Sequence, residues 1–128
     1  MNIDHVAIWV NDLEHMKTFY ETYFEAKSGE RYHNATKSFT SYFLTFEGGS
    51  RLELMHRPDI SKWLGDGQEA MGLTHLAISV ASENKVRALT EQLRSDGYTV
   101  IGEPRTTGDG YYESVILDPE GNRLEITV

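Results

Sequence analysis

The chain is written twice. His5-Val6-Ala7-Ile8-Trp9-Val10 returns as His75-Leu76-Ala77-Ile78-Ser79-Val80, an offset of 70, and Gly49-Ser50-Arg51-Leu52-Glu53-Leu54 returns as Gly121-Asn122-Arg123-Leu124-Glu125-Ile126, an offset of 72. An offset that is nearly constant across two separate motifs marks two copies of one supersecondary module rather than two coincidences. Each copy opens on a strand carrying a histidine and closes on a strand carrying a glutamate. We read module one as residues 1–56, a joining segment as 57–72 with Pro58 and its glycines, and module two as 73–128, together one domain of 128 residues.

Between the marker strands the patterns agree. After the first histidine strand, Asn11 with Glu14 three residues on reads as a capping box. Leu13, Met16, Phe19, Tyr20, Tyr23 and Phe24 then recur at three- and four-residue spacing, the signature of a helix with one apolar face. In the second copy Ser82 is the cap, Val86, Leu89 and Leu93 form the face, and Gly97 ends the helix. Residues 41–47, turned by Gly48-Gly49 into 51–56, read as a hairpin, as do 112–117 turned by Asp118-Pro119-Glu120-Gly121 into 123–128. The less regular stretches 27–37 and 98–104 are each expected to hold one more strand. The sum is an α+β chain of two tandem βαβββ modules, whose sheets are expected to curl around a cleft.

Strand parity selects the candidate site. Side chains alternate across a strand, so residues two apart share a face. Val6, Ile8 and Val10, like Leu76, Ile78 and Val80, form the apolar face; His5, Ala7 and Trp9, like His75, Ala77 and Ser79, form the other. By the same count Glu53 and Glu125 oppose Leu52, Leu54, Leu124 and Ile126. A single histidine or glutamate on a strand is usually a solvated surface residue. Four with matching parity and a repeat make an N2O2 set, suited to zinc, nickel, cobalt, manganese or iron with positions left over for water or substrate. His5, Glu53, His75 and Glu125 are therefore the expected ligands of one divalent ion in a catalytic site.

Composition narrows the partners. Twelve Lys and Arg against 20 Asp and Glu leave a formal charge of −8, and no basic stripe is present, which speaks against nucleic acid as a partner. Without cysteine, disulfides, thiolate nucleophiles and thiolate metal sites are excluded. The first residues lack a basic and apolar leader, and no apolar run reaches a membrane span, so a cytoplasmic location without membrane attachment is expected.

These residues resemble the glyoxalase I family of the wider vicinal oxygen chelate superfamily. The resemblance spans essentially the whole chain and rests on the paired modules, the opening histidines, the Gly-x-Arg-Leu-Glu closings and the turn Asp118-Pro119-Glu120-Gly121-Asn122. It implies that His5, Glu53, His75 and Glu125 match the metal ligands of the bacterial glyoxalase I type, with nickel, zinc or cobalt as the ion. It also implies a lyase acting on the hemithioacetal of a 2-oxoaldehyde, with glutathione or another thiol as cosubstrate and methylglyoxal detoxification as the role. Glu125, or its mirror image Glu53, is then the base that moves the proton, and a homodimer is the implied assembly. The family commonly grips glutathione with an Arg four residues after the first ligand and an Asn four after the second; those positions here are Trp9 and Arg57. Trp9, Arg57 and Tyr111 are accordingly the expected substrate contacts, with Trp9 as a flat apolar wall or an aromatic at a subunit contact. The loop 106–112, glycine-hinged and aromatic, reads as a lid or as a simple turn.

Two other functions fit the same scaffold. One is a different metal enzyme of the superfamily: a thiol transferase, an epimerase or an extradiol dioxygenase. The fourth, carboxylate ligand favours the glyoxalase I type over these, and the chain is short for the dioxygenases. The other is a drug-sequestering resistance protein, which the acidic charge and the 11% aromatic content would suit.

Overall fold

The computed structural model describes residues 1–60 and 71–128. The chain divides into two compact units, Met1–Leu64 and Gly65–Val128. Most of the expected joining segment lies outside the described residues.

The first unit runs β1 (His5–Trp9), α1 (Leu13–Phe24), β2 (Lys27–Ser28), β3 (Tyr32–Asn34), β4 (Phe39–Thr45) and β5 (Arg51–His56). Its sheet has the order β1-β5-β4-β2, with β3 also pairing β4. β1 lies parallel to β5, which brings His5 beside Arg51 and Ala7 beside Glu53. The remaining pairs are antiparallel. Helix α1 lays its apolar stripe on the sheet, where Met16, Phe19 and Tyr20 are fully buried with Leu44, Leu52 and Leu54. Each such side chain contributes on the order of 1.5–3 kcal/mol by leaving water, so this face sets which side of every strand turns inward.

The second unit repeats the plan as β6 (Leu76–Ser79), α2 (Glu83–Ser95), β7 (Val100–Thr106), β8 (Tyr112–Leu117) and β9 (Arg123–Thr127). Its sheet order is β6-β9-β8-β7, with β6 parallel to β9 and the other pairs antiparallel. Val86, Leu89 and Leu93 of α2 are buried with Ile116, Leu124 and Ile126. Within this core the Thr90 hydroxyl donates to the Val86 carbonyl at 2.7 Å and pairs with the Ser114 hydroxyl at 2.7 Å, so both buried hydroxyls are satisfied. The architecture is the expected α+β one, with two helices and two mixed sheets among the described residues.

Four local expectations need correction. The N-cap of α1 is Asp12 rather than Asn11: its carboxylate accepts from the His15 amide at 2.9 Å. Aspartate adds a charge to the capping hydrogen bond, and starting at Leu13 keeps the apolar stripe in phase. The single strand expected over 27–37 is two short ones, because the chain leaves β4 after Gly29 donates to the Phe43 carbonyl at 2.9 Å and returns at Tyr32. His75 stands one residue before β6 rather than inside it. Finally, the segment read as a lid or a turn is a hairpin turn between β7 and β8 that hydrogen-bonds to itself: Thr107 donates to the Tyr111 carbonyl at 2.8 Å, and its hydroxyl reaches the Asp109 carboxylate at 2.6 Å. Backbone groups paired in this way leave little for a hinge.

Candidate functional site

Each unit presents one His and Glu pair on the sheet face turned away from its helix. In the first unit His5 Nε2 lies 3.9 Å from a Glu53 carboxylate oxygen. The parallel pairing of β1 with β5 makes the contact, since it seats Glu53 opposite Ala7, two residues along from His5 on the same face. In the second unit His75 Nε2 lies 3.2 Å from a Glu125 carboxylate oxygen, Glu125 standing opposite Ala77. The alanines leave the space above each pair open. Glu53 and Glu125 keep 13% and 20% of their side-chain surface exposed, enough for an ion or small molecule to reach them.

The His5 ring is held from behind. Its Nδ1 lies 2.8 Å from the Asp4 carboxylate, which also accepts from the Arg51 guanidinium at 2.6 Å. The His5 hydrogen bond, helped by Arg51, holds the Asp4 carboxyl below the usual carboxylate range. A carboxylate on Nδ1 favours the tautomer with Nε2 unprotonated, the state in which an imidazole ligates a metal. Arg51 also stacks over the Phe43 ring at 4.5 Å, and Phe43 meets His5 edge to face at 5.2 Å. Arg51, 39% exposed at the start of β5, thus braces the first pair.

Nitrogen and carboxylate donors with no thiolate fit a divalent ion of the zinc, nickel or cobalt class. Two donors converge in each unit, and among the described residues no three His, Asp or Glu side chains gather into one group that could hold a metal ion. Of the expected substrate contacts, Trp9 is 42% exposed and lies on the His5 face. Arg57 places its guanidinium 5.5 Å from the centre of the Trp9 ring while binding Asp59 through two nitrogens, at 2.5 and 3.0 Å. Tyr111 sits exposed in the β7–β8 turn.

One residue of this face escaped the sequence reading. Glu113 on β8 faces Thr127 across the ladder, one step from the pair Val115 and Glu125, and Arg105 of β7 sits 3.7 Å from its carboxylate. Burial first, and the charge of Glu125 second, push the Glu113 carboxyl above its ordinary value; Arg105 pulls it back. The signal was available. Counting outward from the Asp118 turn sets Leu117 against Arg123 and so Glu113 against Thr127.

The family model described as Glyoxalase/Bleomycin resistance protein/Dioxygenase superfamily matches residues 2–126. The chain belongs to that superfamily. Solved structures of the superfamily repeat the fold: the glyoxalase family protein from Enterococcus faecalis superposes with a TM-score of 0.78 at 26% identity, over 99% of this chain and 97% of that one. Glyoxalase I from Zea mays gives 0.80 at 24% identity; 98% of this chain is covered, but it spans only 44% of the maize protein. The trypanothione-dependent glyoxalase I of Leishmania major gives 0.79 at 21% identity, over 99% of this chain and 86% of that one. No curated protein sequence matches. Among the described residues no helix is long and apolar enough to cross a membrane.

Proposed function

We propose that this superfamily member is a metal-dependent lyase of the glyoxalase I type, with His5, Glu53, His75 and Glu125 as the ligands of one divalent ion. The observation that carries the reading is the repeat of one chemical arrangement. Each unit sets an imidazole Nε2 against a carboxylate, beside a small alanine, on the open face of a parallel strand pair. The two imidazoles and two carboxylates are the N2O2 donors that this reading assigns to the ion.

A divalent ion bound there supplies Lewis-acid stabilisation of the charge that develops on two neighbouring substrate oxygens. The chain's own residues do the rest. Glu125, or Glu53 in the mirror arrangement, accepts the proton from the carbon beside the carbonyl and returns it to the adjacent carbon. Asp4 and Arg51 keep the His5 ring oriented. The substrate is the hemithioacetal of a 2-oxoaldehyde with glutathione or another thiol, and the protein works in the cytoplasm as a homodimer, the commonest symmetric assembly.

Metal analysis of the purified protein beside Glu125→Gln and His75→Ala is the direct test. It is paired with turnover of the methylglyoxal–glutathione hemithioacetal after reconstitution with nickel, cobalt or zinc. We expect stoichiometric metal in the parent chain, lost or weakened in both variants, and turnover at least a hundredfold lower in Glu125→Gln. Metal without turnover moves the substrate to another vicinal-oxygen compound. Protein that binds no metal is a ligand-sequestering member instead, the reading favoured by the exposed aromatics on the His5 face.

A further inference from the structure

The two units carry the same open face with opposite chemistry. One row out from Glu125 the second unit places Ser79, Thr127, Glu113 and Arg105 side by side across its sheet, all polar. The corresponding row of the first unit is Trp9, Met55, Ser41 and Tyr32. The positions are repeat partners: 79 − 9 is 70, and 127 − 55 and 113 − 41 are both 72. The module therefore folds with polar groups in this row, and the aromatics of the first unit are not required by its architecture.

They also cluster. Phe39, two residues along β4 from Ser41, meets Trp9 edge to face at 6.0 Å and Tyr32 at 6.0 Å, and Ser41 is buried beneath them. Yet Trp9 and Tyr32 keep 42% and 54% of their surface exposed. The result is a shelf of flat apolar surface that begins at Trp9, four residues along the strand from His5 and one row, about 7 Å, beyond Ala7 and Glu53. The cation against it, the Arg57 guanidinium over the Trp9 ring at 5.5 Å, is already matched, being held through two nitrogens by Asp59. What rests here is uncharged and flat, one row out from Glu53.

We propose that Trp9, Phe39 and Tyr32 form a specificity wall that selects substrates bearing an aryl group, or one of similar flat apolar shape, next to their vicinal oxygens. The proposal rests on the metal reading above and names the substrate class that reading leaves open.

Acetohydroxamate and benzohydroxamate carry the same pair of vicinal oxygens and differ in methyl against phenyl. Calorimetric titration of the zinc-loaded full chain with each probe gives a ratio of affinities, and that ratio is the readout. Burying most of a phenyl ring on the shelf predicts benzohydroxamate to be about tenfold tighter. Trp9→Ser, which places at this position the residue type found at 79, is expected to bring the ratio close to one, Phe39→Ala to lower it, and Trp9→Phe to preserve most of it. Equal binding of the two probes by the parent chain overturns the wall and leaves the metal reading intact, whereas no binding of either overturns both. A ratio untouched by Trp9→Ser, together with loss of the dimer in sedimentation, makes the shelf a subunit contact and refutes the proposal.

Discussion

Glu113 shows what a single residue gains from its row. Its carboxyl is raised chiefly by burial and next by Glu125, while Arg105 acts in the opposite direction. The folded chain thus holds this proton more tightly than the unfolded chain does. The stabilising contribution is fully present below the ordinary glutamate value of 4.5 and is lost as pH rises through the elevated folded value. In the metal-free protein, we expect the side-chain carboxyl resonance of Glu113 to titrate above 4.5, and Arg105→Ala to move the midpoint higher still. A midpoint at or below the ordinary value would show that burial is not in control. The strand face of His5, Glu53, His75 and Glu125 was legible because parity along a strand is a local property; the register of Glu113 could be counted from the Asp118 turn, but its neighbours across two ladders could not.

At the scale of elements, β7 depends on one glycine. A Cβ at Gly102 would meet Val115 Cγ2 at 3.0 Å and Val115 Cβ at 3.1 Å, and the Arg105 guanidinium at 3.3 Å. The register of β7 against β8 shifts on either side of Gly102, so the close approach falls within an irregular stretch of ladder that seats Arg105 opposite Glu113. Gly102→Ala is expected to destabilise the chain by about 1–3 kcal/mol through overpacking, read as a lower denaturant midpoint with an unchanged slope. A neutral result would mean that the Val115 side chain swings aside. Helix α2 and its Ser82 cap were legible from the sequence, as were both hairpin turns. The breaks in the 27–37 stretch and the bulge in β7 were not, since neither has an alternation long enough to count.

For the whole molecule, the proposed ion links ligand binding to folding. A metal that binds the native chain and not the unfolded one stabilises by about 2.7 kcal/mol at a free concentration one hundred times its dissociation constant. We expect zinc or nickel to raise the unfolding midpoint of the parent chain, and His75→Ala and Glu53→Gln each to remove most of that gain. Loss of the gain only in the second-unit variant would mean that the ion uses one pair alone. Superfamily membership agrees with the architecture read from the repeat: two copies, each with one helix on one face of a mixed sheet.

The order of strands and helices, the buried face of each, and the placing of two histidines and two glutamates on the other face were all determined by the sequence itself. Those features follow from the periods of 2 and 3.6 residues and from turn chemistry, which act over a few neighbours. Only the tertiary structure decided which rows adjoin. Seating β1 parallel to β5 brings Asp4, Arg51 and His5 together across more than 40 residues of chain, and the β7–β8–β9 ladders align Arg105, Glu113 and Thr127. Such registers are set by how whole apolar faces pack, a non-local quantity that no window of sequence contains.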